Sequence, residues 1–270
     1  MQIKFFCPRW GCEHLSWDEF CEKAKSVGYD GIEAGVSFEK KDKEEMKTAL
    51  QKHNLLFIGQ YFQSFESNFE EHFHNYKKWL YNIAELNPIL IDSQTGKDYF
   101  SEDENEKLFS VATEFTNETK ITVAHETHRN KALYAAHITK KILAKYKDLK
   151  ITADFSHWCC VAESLLEDQQ EAVAIGCERA IHIHARVGYT QAAQVNDPRA
   201  MEWKKEVNTF LNWWDTIVEN RKKDGTKLLT ITPEFGPEPY MPVMPHTLKP
   251  LANQWDINVF MMELLRKKLI

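Results

Sequence analysis

A single-domain (β/α)8, or TIM, barrel is the α/β fold class this chain predicts, and three observations predict it. Apolar runs of five to eight residues recur, many rich in β-branched side chains, and each is followed by a stretch of helical periodicity. Eight such runs (3–7, 31–36, 55–62, 88–92, 121–125, 150–154, 180–184 and 228–232) divide 270 residues into units of about 34, matching the ~30 or more that a strand, its crossover helix and two loops need. No Gly-x-Gly-x-x-Gly follows an early run and the chain has only 10 glycines, which disfavours an open dinucleotide-binding sheet.

The elements can be argued in order. After the first run, Ser16-x-x-Glu19 has the capping-box form, and Phe20, Ala24 and Val27 then share one helix face. The third helix carries the stripe Phe69, Phe73, Tyr76, Leu80 and Ile83, and the fourth opens on a second box, Ser101-x-x-Glu104. Before the last strand, Asp197-Pro198 reads as an N-cap with proline at the first helical position, followed by Trp203, Val207, Phe210, Trp214 and Ile217 at spacings of three and four. These stripes are helix faces for a parallel sheet buried on both sides, which is why the strand runs are nearly continuous in apolar residues. Trp213 and Trp214 read as core positions, with a homo-oligomer interface as the alternative. Six of the 9 prolines (Pro233, Pro237, Pro239, Pro242, Pro245 and Pro250) follow the last strand. We read 233–250 as a stiff loop over the carboxyl-terminal face of one domain spanning 1–270, because a linker would leave only one helix beyond it.

Composition narrows the partners. The net charge of -6, from 34 basic and 40 acidic residues without a basic block, argues against nucleic acid. No run approaches the ~18 apolar residues of a membrane span, and no basic stretch followed by a long apolar run opens the chain, so a cytoplasmic location is expected. The 6 cysteines lack zinc-finger spacing and read as reduced thiols.

In a parallel barrel the carboxyl ends of the strands open on one face, where catalytic residues gather. The last four strands finish Val-Ala-His-Glu-Thr-His (Glu126), Thr-Ala-Asp-Phe-Ser-His-Trp (Asp154, His157), Ile-His-Ile-His-Ala-Arg (His184, Arg186) and Ile-Thr-Pro-Glu-Phe-Gly (Glu234). Three carboxylates and an imidazole at one mouth are costly to desolvate unless a divalent cation neutralises them. Oxygen and nitrogen ligands without thiolate suit one Mn, Mg, Co or Zn ion.

These strand ends, with the phrase Gly28-Tyr29-Asp30-Gly31-Ile32-Glu33, resemble the xylose-isomerase-like barrel superfamily. The similarity is to its sugar (phosphate) isomerase/epimerase branch, which includes the ketose 3-epimerases and is distantly related to endonuclease IV. The resemblance implies that Glu126, Asp154, His184 and Glu234 bind one metal and that His157 contacts substrate. Glu126 and Glu234, from strands on opposite sides of the ligand set, are also the candidates for acid and base, each able to address one face of the reacting carbon. His182 and His184 fall on the same side of their strand; the resemblance and the position nearer the mouth favour His184, leaving His182 as a packed barrel residue. Arg186, His128, Glu33 and Trp158 are further candidates for substrate binding, and Trp10 and Tyr61 for stacking on a sugar ring. Two departures stand out. Where the epimerases have an Arg six residues after the metal His, this chain has Thr190, with Arg186 at two. Ala132 stands where a Glu is usual, with His128 and Arg129 nearby.

The expected reaction is proton abstraction beside a carbonyl through an enediolate, on a small sugar or sugar-derived substrate: epimerisation or aldose-ketose isomerisation. A dehydratase on a related polyol or cyclitol would use the same ligands. A non-catalytic sugar-binding barrel and an endonuclease IV-like phosphodiesterase are the weaker alternatives, the latter opposed by the acidic charge. Only Arg186-Val187-Gly188-Tyr189 follows the seventh strand and only the proline-rich loop the eighth. Neither is a glycine-rich phosphate cradle, so an unphosphorylated sugar, a sugar-derived acid or a cyclitol is at least as well supported as a phosphate.

Overall fold

A computed structural model describes residues 1–270. Eight parallel strands close into a barrel in sequence order: β1 (Gln2–Pro8), β2 (Gly31–Ala34), β3 (Leu56–Tyr61), β4 (Ile91–Ser93), β5 (Val123–Glu126), β6 (Ile151–Ala153), β7 (Ala180–His184) and β8 (Leu228–Thr232), with β8 pairing back onto β1. The crossovers are α1 (Trp17–Ser26), α2 (Lys40–His53), α3 (Phe69–Ala84), α4 (Glu102–Thr119), α5 (Ala136–Lys145), the pair α6 (Phe155–Ala162) and α7 (Gln170–Arg179), and α8 (Lys204–Lys223). The last helix, α9 (Gln254–Leu269), follows β8. No helix is long and apolar enough to cross a membrane.

Both capping boxes form: Ser16 and Ser101 each accept from the backbone N–H three residues on, while Glu19 and Glu104 reach back. The third-helix stripe packs as expected, with Tyr76, Leu80 and Ile83 buried. Asp197-Pro198 does not start a helix. The Asp197 carboxylate accepts from the Arg199 backbone N–H at 3.0 Å and pairs with its guanidinium, so it closes a local turn. α8 begins only at Lys204, after a 3-10 turn, Met201–Trp203. Trp214 is buried in the core and Trp213 packs on Phe155 and Phe210. All six cysteines are free.

The core has two parts. A layer of 59 buried residues lies mostly between strands and helices, while Phe6, Ile58, Leu90 and Ala124 form a small apolar plug at the base of the barrel interior. A β-carbon on Gly31 would collide with the Phe6 ring, so this glycine lets the plug fill the narrow interior. One period-two step up the strands the inward positions turn polar or ionic: Ile58 gives way to Gln60, Leu90 to Asp92 and Ala124 to Glu126, while the hydroxyls of Thr152 and Thr232 give way to the carboxylates of Asp154 and Glu234. The interior therefore grades from an oily base to an ionic mouth.

Candidate functional site

The mouth opens into a cavity of about 790 Å3 lined by residues including Trp10, Gln60, Lys97, His128, Lys131, Arg186, Glu234 and Tyr240. Its centre is best described from His184 on β7, which is fully buried. The ring Nε2 lies 3.0 Å from Glu33 Oε1, while Nδ1 faces Glu234 Oε2 at 3.0 Å and Glu126 Oε1 at 3.3 Å. Burial opposes ionisation of Glu33, but His184 and His182 outweigh it and hold this carboxyl well below its ordinary range. An ionised Glu33 fixes the His184 proton on Nε2, so a neutral ring aims the Nδ1 lone pair at two carboxylate oxygens.

Three acceptors facing one another require a cation between them or an extra proton. Glu126, Asp154, His184 and Glu234 each place a ligand atom within 4.8 Å of the others, and Glu126 Oε2 is buried with no hydrogen-bond partner. Separations of 3.0 and 3.3 Å are those of neighbouring ligands around an ion held at about 2.1 Å. Glu126, His184 and Glu234 therefore fit a divalent metal. Without a metal between them, the charges of Glu234 and Glu33 overcome burial and push His184 well above the usual histidine range.

Asp154 is differently placed. It caps α6, with Oδ1 accepting from the Ser156 N–H at 3.1 Å and from the Ser156 hydroxyl, and Oδ2 takes the Arg186 guanidinium. Burial pushes its carboxyl up to about 6 against the pull of Arg186. Arg186 is itself buried; it reaches His157 Nε2 at 2.7 Å and Glu234 Oε2 at 3.5 Å under the ring of Tyr240. The arginine that follows His184 by two residues thus binds a carboxylate of the cluster and also lines the cavity.

The remaining candidates separate by depth. His128 lines the cavity, its ring tilted by 41° against that of His157 with centroids 3.8 Å apart, and His157 lies wholly buried beneath it. Burial drives both imidazoles toward the neutral form, His128 down to about 4. Two expectations need correction. Glu33 does not face the cavity: it sits below the cluster, held by His182, His184 and Thr232. Trp158 presents no face to a ligand, because it is stacked on Phe155 with its indole N–H donated to Leu133 O at 3.0 Å. Tyr61 is likewise buried against Tyr76, whereas Trp10 lines the cavity.

Sequence reasoning missed four groups. Gln60 donates to Glu234 Oε1 at 3.0 Å, and Asp92 is fully buried 3.9 Å from His184 Nε2; each is a lone polar residue in an otherwise apolar run, Gln60 near its end and Asp92 at it, which is a usable signal. Tyr240 and the pair Lys97 and Lys131 come from loops and carry no pattern that marks them.

No family model matches the chain, and no curated protein matches it in sequence. Solved structures do match in fold. A xylose isomerase domain containing protein from Salmonella typhimurium aligns at a TM-score of 0.65 and 15% identity, covering 100% of this chain and 99% of that one. A D-tagatose 3-epimerase-like protein aligns at 0.62 and 14% identity over 99% and 100%. The probable 3-DHS dehydratase AsbF from Bacillus anthracis aligns at 0.61 and 18% identity over 98% and 99%. In architecture the chain matches the xylose-isomerase-like TIM barrels, and at these identities the likeness is one of fold.

Proposed function

We propose that the protein is a divalent-metal-dependent sugar isomerase or epimerase that moves a proton at the carbon beside a carbonyl. The observation that carries this reading is His184 Nδ1 facing carboxylate oxygens of both Glu126 and Glu234, at the floor of a cavity of about 790 Å3. A metal held by Glu126, His184 and Glu234, with Asp154 alongside, would supply Lewis acidity toward a carbonyl and its neighbouring hydroxyl.

The protein groups divide the remaining work. Glu234 lines the cavity with one oxygen oriented by the Gln60 amide, so it is placed to take the proton from carbon. Glu126, two strands across the mouth from His184, carries the bare Oε2; in an epimerisation it would first take a proton from solvent and then deliver it to the other face of the enediolate, while Glu234 holds the proton removed from carbon. Arg186 sets a permanent charge 3.5 Å from Glu234 Oε2, placed to offset negative charge growing on substrate oxygen. Trp10 and Tyr240, packed edge to face at 5.0 Å, form an apolar wall for a sugar ring and keep water from the intermediate.

The test is exchange in heavy water. A ketose turned over by the metal-loaded protein should gain deuterium on the carbon beside the carbonyl, and Glu234→Gln should abolish it. Undiminished exchange in that variant removes Glu234 from the proton transfer, and a bound sugar that never exchanges identifies a non-catalytic barrel. Product analysis separates dehydration from isomerisation, since both begin with the same proton loss.

A further inference from the structure

Lys97, in the loop after β4, and Lys131, in the loop after β5, are only 5% and 4% exposed, and both line the cavity. Both ammonium groups converge on one residue. Lys97 donates to the Ser64 carbonyl, and Lys131 to the Ser64 hydroxyl and, at 3.4 Å, to the same carbonyl. Neither makes an ion pair, although the other buried cations do: Arg186 holds Asp154, and Arg221 holds Asp224 at 3.0 Å.

Two like charges sharing one carbonyl in a buried place are unfavourable, because desolvation and mutual repulsion both oppose the charged form. Burial, with Lys97 adding to it, pulls Lys131 down to about 8. Each ammonium has three donors, so donors are left over on the side where the cavity lies.

We propose that Lys97 and Lys131 form an anion subsite that binds a carboxylate or phosphate group of the substrate. The proposal deepens the functional reading above and rests on this cavity being the substrate pocket. The anion would supply the counter-charge that the protein omits, bridging two ammonium groups beside His128. Because the loops after β4 and β5 flank the strand that ends in Glu126, a ligand anchored there lies with its remaining carbons over the carboxylate cluster.

The experiment is a calorimetric titration of protein kept in EDTA with D-fructose, D-fructose 6-phosphate and 5-keto-D-gluconate, so that metal chemistry plays no part. At least one of the two anionic ketoses should bind ten-fold or more tightly than fructose, and the tighter one tells phosphate from carboxylate. Lys97→Met/Lys131→Met should erase that preference, whereas Lys97→Arg, which keeps the charge, should retain it. Anionic ketoses that bind no better than fructose, or an advantage that survives in the double variant, overturn the proposal. The ligand comparison on the unaltered protein decides the matter even if the double variant does not fold. Anion preference without deuterium exchange would leave this subsite standing and remove the isomerase reading; exchange on a neutral ketose without anion preference would do the reverse.

Discussion

His182 and His184 lie on the same side of β7 with ring centroids 5.1 Å apart, and both reach Glu33, yet they sit in opposite electrostatic situations. Around His182 every group finds its complement: Nδ1 can accept from the Thr230 hydroxyl at 2.7 Å and Nε2 can donate to Glu33 at 3.1 Å. Around His184 the second nitrogen meets only carboxylate oxygens, and Glu126 Oε2 beyond it meets nothing. Identical residue types therefore make a closed structural network at one level and an open acceptor set at the next. The difference teaches that a ligand set is recognised by which groups lack a hydrogen-bond complement, more than by which residues are present.

The largest expected effect breaks the open end of this comparison. Glu234→Gln should slow deuterium exchange at least about a thousandfold, as loss of a positioned proton acceptor does, measured by mass spectrometry of the recovered ketose. Next, His184→Asn should weaken Mn2+ or Zn2+ binding by at least about 100-fold in calorimetric titration, while His182→Asn stays within about tenfold, since it acts only through Glu33. Equal losses in the two variants would erase the distinction. Glu33→Gln tests the residue the two rings share: it can no longer fix the His184 proton, and metal affinity should fall about 10- to 100-fold.

A third imidazole sharpens the contrast from outside the barrel. His125 on β5 is buried against Phe109, with Nδ1 2.7 Å from the Thr95 hydroxyl and no carboxylate facing it, and burial pushes it down to about 3. The unfolded chain takes up this proton near the ordinary value of 6.5 whereas the native protein does not until about 3. Its contribution to stability is therefore present above pH 6.5 and lost as pH falls, by about 2 kcal/mol at pH 5. Urea unfolding at pH 7 and 5 should show this loss, and His125→Asn should reduce it.

Much of the framework was legible because it rests on local rules. The capping boxes at Ser16 and Ser101 and the period of Tyr76, Leu80 and Ile83 are properties of a few neighbouring residues. Asp197-Pro198 misled because aspartate satisfies a turn as readily as a helix start, and Arg199 stood ready to pair with it. Among the site candidates, position at successive strand ends, with the resemblance, grouped Glu126, Asp154, His184 and Glu234, whose ligand atoms do lie together, but the depth of Glu33 and Trp158 depends on barrel packing that no single run encodes. Lys97, Lys131 and Tyr240 meet only because separate loops fold over the mouth, and two lysines among 34 basic residues carry no mark of their own.

Gly236, within the proline-rich loop, has one more consequence. A β-carbon there would overlap the Trp10 indole, so the missing side chain is what allows Trp10 to lie beside Tyr240 where β8 meets β1. Across the ring, the loops after β3, β4 and β5 present Gln63, Gln94, Lys97 and Lys131. The slot thus has an aromatic side, a hydrogen-bonding side and a charged floor, three unlike contacts that no mirror plane relates. On the sugar reading proposed above, such a slot would be chiral at the scale of a hexose, and of two mirror-image sugars anchored on the same floor only one would turn its hydroxyls to the amides and its C–H face to the indole. Handedness would then be selected by a glycine that touches no substrate at all.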